Sequence, residues 1–421
     1  MSSAALDPRR ELLLSLLHRA LEAVDGRHVT ARALRARALG SDACGYWVAA
    51  IGKAAARMAL GAHEVLGAAI ARTLIITKEG HVDREALALP ALTLCESSHP
   101  LPDARSLAAG ESLIGFFREL PPTAQPLFLI SGGASSLVEA LVPGADLAEL
   151  QALNRAGLAS GIDITELNAR RARLSRLKGG RLAQQLLGRA GLALFISDVP
   201  GDDPAVIGSG LLGPPPAAAA AGDRIERVVV ASIDTAVEAV RAVAGRLALA
   251  DSAARFSGSA AVLGAAFARQ LIDGPSGLLV RGGESVVVLP VVPGRGGRNQ
   301  HLALAAAQQL MGHEDCFLLA AGTDGTDGPT ADAGALVDGG SWARIAASGV
   351  DPRACLAGAD SARALEAAGD LLHTGPTGTN VGDLVLGTRL SMSEARAWLN
   401  TSPFAAHPNA SEPRHAPARH R

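Results

Sequence analysis

The sequence is poor in aromatic residues and in net charge. Aromatic side chains make up 3% of its 421 residues, and 39 Lys+Arg against 41 Asp+Glu leave a formal net charge of -2. Few aromatics argue against base-stacking platforms, and a balanced charge argues against a basic field that attracts nucleic acid or anionic membrane. No uninterrupted run of about 20 apolar residues occurs, as a membrane-spanning helix would need. We expect a globular enzyme of two or three domains, with no nucleic-acid or membrane partner.

Cysteine is also scarce. The four cysteines form no CxxC pair and show no zinc-ligand spacing, which favours reduced thiols in a cytosolic protein. Arg9-Arg10 before a leucine-rich stretch resembles an export signal, but Glu11 and His18 leave the apolar run too short for one. We therefore predict a cytoplasmic protein.

Lysine is the rarest cation. Only Lys53, Lys78 and Lys178 occur, so 36 of the 39 cations are arginine. Lysine carries a compact, rotatable charge that arginine does not reproduce where a phosphoryl oxygen must be followed. Because Lys53 and Lys178 each stand in a glycine-bearing motif, both are candidate functional residues.

Apolar segments alternate with helical patterns through the first 250 residues. Strands are predicted at 46–51, 74–77, 91–95, 127–130, 192–197 and 228–231. This alternation predicts an α/β fold with a Rossmann-like, mostly parallel sheet and helices on both faces. Ligands of such sheets bind beyond the carboxyl ends of the strands, where Lys53, Ser131 and Asp198 fall. We expect these three residues to lie together.

The domain limits are read from changes in composition. We predict a first domain at 1–255, a smaller α/β domain at 256–400 and a disordered tail, rich in Pro, His and Arg, at 401–421. In the second domain, 278–281 and 286–289 flank Gly282-Gly283-Glu284, which predicts a hairpin.

Two motifs of the first domain suit anions. In the loop at 131–136, Ser-Gly-Gly-Ala-Ser-Ser, glycines let backbone N–H groups approach an anion and serines add donors. Further on, Asn168, Arg171 and Ser175 share one helix face before Lys178-Gly179-Gly180. The alternatives are a capped glycine turn and a solvated basic face.

Acidic and donor-rich loops complete the set. Asp198 in 197–203 and Asp324 in 323–330 stand among residues that can hold Mg²⁺ beside waters and phosphates, although aspartate is also a common turn former. The loop at 375–383 suits nucleotide phosphate or substrate carboxylate, and His99 is either an acid/base group or structural. Together these loops suggest phosphoryl transfer. The GxGxxG match at 208–213 is rejected as a dinucleotide loop because prolines, not a helix, follow it.

The motifs closely resemble those of class II glycerate kinases, the glycerate 2-kinase family with a C-terminal MOFRL domain. The resemblance covers nearly the whole chain except both ends and includes Ile51-Gly52-Lys53, Gly297-Arg298-Asn299-Gln300 and 374–383. The chain departs from the family pattern at Arg170, Arg173, His301 and Gly382.

The resemblance implies an active site in the cleft between the two domains. It implies ATP, Mg²⁺ or another divalent cation, and D-glycerate phosphorylated at its 2-hydroxyl. We assign catalysis to Lys53, Arg171 and Asp198. Substrate binding is assigned to His99, Ser131, Gly132, Gly133, Ser135, Ser136 and Asn168. Nucleotide binding is assigned to Lys178, Arg298, Asn299, Gly375, Thr377, Gly378, Thr379 and Asn380.

Several questions stay open at this point. Asp198 either accepts the hydroxyl proton or binds the metal, for which Asp324 is the second candidate ligand. A homodimer is one candidate assembly. The rival function is an NAD(P)H-dependent hydroxypyruvate reductase. Such an enzyme needs a dinucleotide loop after the first strand, and Gly52-Lys53-Ala54 does not supply one.

Overall fold

The computed structural model describes residues 6–37, 45–160, 164–186, 188–215, 221–249 and 254–401. The chain divides into two compact units. The first-sheet unit comprises Val24–Ser232 and Gly378–Val381, and the second-sheet unit comprises Met1–Ala23, Ile233–Thr377 and Gly382–Arg421. The domain limits expected at 255 and 400 stay a prediction, and the expected tail lies, beyond Thr401, outside the described residues.

The first-sheet unit contains six parallel strands in the order β3-β2-β1-β4-β5-β6. Their bounds are β1 Tyr46–Ile51, β2 Ile70–Lys78, β3 Leu92–Ser97, β4 Gln125–Ile130, β5 Ala190–Ile196 and β6 Arg224–Ala231. Its helices are α2 Gly26–Ala36, α3 Ala55–Leu66, α4 Ala104–Arg118, α5 Ala134–Leu137, α6 Leu147–Ser160, α7 Ile164–Leu174 and α8 Arg181–Gln184. The predicted Rossmann-like sheet is confirmed.

Continuous apolar runs explain the central strands. All six residues of β1 are buried, as are the last five of β4, which is typical of parallel strands covered on both faces. The strand order reverses between β1 and β4, where Ile51 pairs with Ile130. This reversal is the point at which α/β sheets bind ligands, and it places the ends of β1, β4 and β5 side by side.

The second-sheet unit contains a mixed sheet in the order β11-β10-β9-β12-β8-β7, antiparallel except between β7 and β8. The strands are β7 Phe256–Ser259, β8 Gly277–Val286, β9 Cys316–Gly322, β10 Gly334–Asp338, β11 Leu371–Leu372 and β12 Asp383–Arg389. The helices are α1 Pro8–Ala23, α9 Ile233–Ala244, α10 Ala260–Asp273, α11 Arg298–Leu310, α12 Ser341–Ala347, α13 Pro352–Ala357, α14 Ser361–Ala368 and α15 Met392–Thr401.

The hairpin expected around Gly282-Gly283-Glu284 is wrong. These residues lie inside β8, which pairs with β12 on one side and with β7 on the other. A Cβ at Gly283 would overlap the backbone of Phe256, so the glycine permits the close approach of a neighbouring strand.

Candidate active site

Two turns at the reversal point are bonded to each other. The Lys53 amide donates to the Gly132 carbonyl at 3.0 Å, and the Ser131 amide donates to the Ile51 carbonyl at 2.9 Å. The Ala54 amide donates to the Ser131 hydroxyl oxygen at 3.0 Å. The fully buried Ser131 therefore fixes residues 131–136, which we call the glycine loop, to the turn that carries Lys53.

Lys53 and His99 lie against the same glycine. A Cβ built on Gly133 would be 3.2 Å from Lys53 Cγ and 3.3 Å from His99 Cδ2. Gly133 also has a φ of +88°, which strongly favours glycine. The structure thus brings two residues predicted from separate motifs, both half-buried, to one position on the glycine loop.

Asp198 and Asn380 lie against the neighbouring glycine. Asn380 Nδ2 donates to Asp198 Oδ2 at 2.9 Å. A Cβ on Gly132 would overlap both side chains and would lie 2.6 Å from Asp198 Cγ. The expected grouping of Lys53, Ser131 and Asp198 is therefore observed, with Gly132 and Gly133 as the common surface.

Asn168 and Arg171 reach the glycine loop through Ser209. The Ser209 hydroxyl oxygen lies 2.9 Å from both Ser135 Oγ and Asn168 Oδ1. Arg171 donates to Asn168 Oδ1 at 3.2 Å and, through Nε and a terminal nitrogen, to Asn154 Oδ1 at 3.0 and 2.6 Å. Burial lowers the pKa of the Arg171 guanidinium. These bonds support the loop, and direct contact of Arg171 with substrate stays a prediction.

Ser175 and Lys178 have interior positions. The helix α7 ends at Leu174, and the buried Ser175 hydroxyl accepts the Leu177 and Lys178 amides at 3.1 Å, so Ser175 forms a turn instead of extending the helical face. The Lys178 ammonium donates to the Ser135 carbonyl and to Glu139 Oε2, each at 2.6 Å, in a side chain that is 1% exposed. In this position Lys178 offers no surface to a nucleotide.

Arg298 and Asn299, predicted to bind nucleotide, belong to an ion-pair network in the second-sheet unit. Arg298 contacts Glu284 and bonds to Asp383 at 2.7 Å. Asn299 Nδ2 donates to Asp383 at 3.0 Å and to Asp327 at 3.3 Å. Their nucleotide contacts stay predictions.

Asp327 caps the start of α11. Its two carboxylate oxygens accept the Asn299 amide at 3.1 Å and the Gln300 amide at 2.8 Å. Although these donors favour the ionised form, burial outweighs them and raises the pKa of Asp327 to about 7.

The remaining predicted site residues form hydrogen bonds within the protein. Asp324 accepts the amide and hydroxyl of Thr326 at 2.9 and 3.1 Å. Thr377 donates to the Thr323 carbonyl at 2.5 Å, and Thr379 donates to the Val24 carbonyl at 2.7 Å. Gly375 and Gly378 supply positive φ values of +66° and +77°. In the part of the chain that the structure describes, no three His, Cys, Asp or Glu side chains are grouped to hold a metal ion.

Sequence reasoning missed Glu139, Asn154 and Ser209. Ser209 stands in the Gly208-Ser209-Gly210 segment, which was considered only as a dinucleotide loop. Glu139 and Asn154 stand in no motif, so their partners could be found only from the fold.

Comparison with known proteins agrees with this architecture. Residues 12–243 match the family described as "Domain of unknown function (DUF4147)", and residues 277–383 match the MOFRL family. Within the described ranges, no helix combines the length and apolar character needed to cross a membrane.

Named relatives cover most of the chain. The D-glycerate 2-kinase of Thermotoga maritima is 37% identical over 80% of this chain and 89% of its own length. A putative hydroxypyruvate reductase of Agrobacterium vitis is 38% identical over 79% of this chain and 96% of its own. The crystal structure of glycerate kinase from Thermotoga maritima superposes with a TM-score of 0.77 and 33% identity, covering 90% of this chain and 99% of that chain. The protein described here therefore belongs to the glycerate kinase family that joins a DUF4147 domain to a MOFRL domain.

Proposed function

We propose that the protein transfers the γ-phosphoryl group of ATP to the 2-hydroxyl of D-glycerate. The supporting observation is the surface formed by Gly132 and Gly133, against which Lys53, His99 and Asp198 lie. A cation, a carboxylate and close-approach glycines on one surface are the elements that phosphoryl transfer needs, because its catalysis consists mostly of positioning and charge neutralisation.

The reaction assigns a role to each group. The 2-hydroxyl oxygen attacks the γ-phosphorus, the bond from that phosphorus to the ADP oxygen breaks, and the hydroxyl proton leaves. The Lys53 ammonium neutralises charge on the transferred group. Ser131–Ser136, with His99 nearby, holds the glycerate carboxylate and hydroxyls.

Asp198 has two candidate roles. It either accepts the departing proton or binds the divalent cation that accompanies ATP. A cation already held by nucleotide phosphates takes one or two protein carboxylates, and Asp198 is a half-buried carboxylate at the end of β5, so the residue fits that need. When bound, such a cation would neutralise phosphate charge. Asn380 holds Asp198 Oδ2 in either role.

The name of the Agrobacterium relative raises hydroxypyruvate reduction as the alternative. A dinucleotide pyrophosphate binds free N–H groups in the first strand-to-helix turn. Here the Gly52, Lys53 and Ala55 amides donate to the carbonyls of Ile76, Gly132 and Gly52, and the Ala54 amide donates to Ser131. In the Gly208-Ser209-Gly210 segment, the Ser209 and Gly210 amides donate to the carbonyls of Val206 and Ile207 in the same turn. Neither turn presents a phosphate cradle, which favours the kinase.

Three measurements and one pair of variants test the proposal. We expect ADP release with D-glycerate, 2-phosphoglycerate as the product in NMR spectra, and no NADH oxidation with hydroxypyruvate. Lys53→Ala should lower kcat by at least about 10²-fold, as loss of a charge-stabilising donor does. The control Lys78→Ala, at the end of β2, should keep wild-type turnover. Wild-type rates in Lys53→Ala, or 3-phosphoglycerate as product, would refute the proposal.

A further inference from the structure

A buried ion pair lies beneath the glycine loop. Lys178 and Glu139 are 1% and 0% exposed, and their charged atoms are 2.6 Å apart. A buried pair of this kind adds little net stability by itself, because desolvation of both charges offsets their attraction. The ammonium makes a second contact, the 2.6 Å bond to the Ser135 carbonyl, through which the pair reaches the glycine loop.

The carboxylate of this pair is fixed from several sides. The Glu139 amide donates to the Ser106 carbonyl of α4 at 3.0 Å, and Glu139 Oε1 accepts the Ala140 amide at 2.9 Å. Gly110 of α4 packs so closely on the Glu139 backbone that a Cβ there would overlap its carbonyl. Because Glu139 is held by α4, it gives Lys178 a defined position.

The ammonium in turn fixes one peptide of the loop. Its bond to the Ser135 carbonyl sets the plane of the peptide between Ser135 and Ser136, and Ser209 holds the Ser135 side chain at 2.9 Å. The amides of Ser136 and Leu137 donate to the Gly133 carbonyl at 3.2 and 3.4 Å. The order of this turn is thus connected to Gly133, against which Lys53 lies.

We infer that Glu139 and Lys178 are positioning residues that hold the glycine loop in the conformation that binds glycerate. This inference rests on the proposed function, and it replaces direct nucleotide binding as the role of Lys178. The two residues touch neither reactant. They act through the Ser135 carbonyl, so their loss should alter the conformation of the glycine loop and leave nucleotide binding unchanged.

The test uses the full chain and separates charge burial from loop order. Lys178→Met and Glu139→Gln each leave one buried charge without its partner and should destabilise the fold. The double variant removes both charges and should recover stability in urea unfolding, yet it leaves the Ser135 carbonyl without its ammonium donor. Hydrogen–deuterium exchange of the Ser136, Leu137 and Val138 amides should then be at least about tenfold faster than in the wild type, because their local opening is no longer opposed.

Kinetics of the double variant give the second readout. The kcat/KM for D-glycerate should fall by about 10²-fold, the effect expected of a misplacement near 1 Å, while KM for ATP changes less than about threefold. Arg10→Ala, which breaks an ion pair to Asp338 in the second-sheet unit, should lose stability and leave exchange at 136–138 unchanged. Should the double variant not fold, Glu139→Asp, which keeps the charge but retracts the carboxylate, should show the same changes at smaller size.

Unchanged exchange at 136–138 would overturn the inference. So would a change in KM for ATP as large as the change in kcat/KM for D-glycerate. Absence of glycerate phosphorylation by the wild type would instead refute the proposed function, and the exchange measurement would still decide whether the pair orders the loop.

Discussion

Gly132→Ala tests the site through a single methyl group. The added Cβ would overlap Asp198 Oδ2 and would lie 2.6 Å from Asp198 Cγ, whereas ordinary contact begins at 3.4 Å, so the carboxylate must retreat by at least about 0.8 Å or the loop must move. Asn380, which the methyl would also overlap, must shift with it because it is bonded to Asp198. The substitution therefore changes the positions of Asp198 and Asn380 without removing either side chain.

A displacement near 1 Å at a reacting group costs about 10²-fold in rate, or ~2.7 kcal/mol of transition-state stabilisation. We expect kcat for D-glycerate to fall by about this factor in a coupled ADP-release assay. Overpacking should also lower the free energy of unfolding by about 1–3 kcal/mol. The loss in rate must therefore be measured on folded protein, at a temperature well below the unfolding transition.

Two glycine variants serve as controls. Gly115→Ala, in α4, adds a methyl group with nothing within 4 Å and should be neutral or stabilise the helix by about 0.5–1 kcal/mol. Gly264→Ala, in α10, would overlap the Leu302 carbonyl in the second-sheet unit and should destabilise the protein without changing kcat of the folded fraction. If folded Gly132→Ala keeps kcat within about threefold of wild type, the position of Asp198 beside Gly132 does not matter for phosphoryl transfer, and the reasoning is refuted.

Two further substitutions test the second-sheet unit. Burial raises the pKa of Asp327 from 3.8 to about 7, so its contribution to stability is complete below about pH 4 and is lost as the pH rises through 7. The free energy of unfolding of the wild type, relative to that of Asp327→Asn, should therefore fall by at most ~4 kcal/mol over that range. A difference in urea titrations that does not depend on pH would contradict this reasoning. Arg10→Ala should cost about 1–3 kcal/mol in the same assay, because Arg10 bonds to Asp338 at 2.6 Å and to the buried Asp370 at 3.1 Å; an unchanged transition midpoint would show that Arg344 alone satisfies both carboxylates.

The sheet of the first unit could be predicted because its signals are local. Six-residue apolar runs such as Tyr46–Ile51 have few alternatives to a buried strand, and parallel pairing brings the residues that follow each run to one edge. That rule alone predicted the grouping of Lys53, Ser131 and Asp198. The role of Asn380 could not be predicted in the same way, because its contact to Asp198 spans 182 residues.

The hairpin prediction failed because a distant segment decides the local structure there. Gly282-Gly283-Glu284 has the composition of a turn, but β12, some hundred residues later, supplies the hydrogen bonds that keep the chain extended. The nucleotide contacts of Arg298 and Asn299 stay predictions, but here too the sequence did not show that Asp383 and Asp327 accept their donors within the unit. In both cases the sequence shows the chemical groups and not the partner that uses them.

Lysine stands in place of arginine at Lys178 and Lys53 for two separate physical reasons. At Lys178, the identified acceptors are one carbonyl and one carboxylate in a side chain that is 1% exposed. A guanidinium with five N–H donors would bring more donors into that space than these acceptors satisfy, whereas an ammonium has three. At Lys53 the stem lies along Gly133, with Cγ and Cε at 3.2 and 3.5 Å from the position of a missing Cβ, and the proposed function requires the half-buried ammonium to follow a phosphoryl group in transfer. Burial selects lysine at the first position and, on the proposed function, motion of the bound charge selects it at the second, so a rare residue type marks a constraint without identifying which one applies.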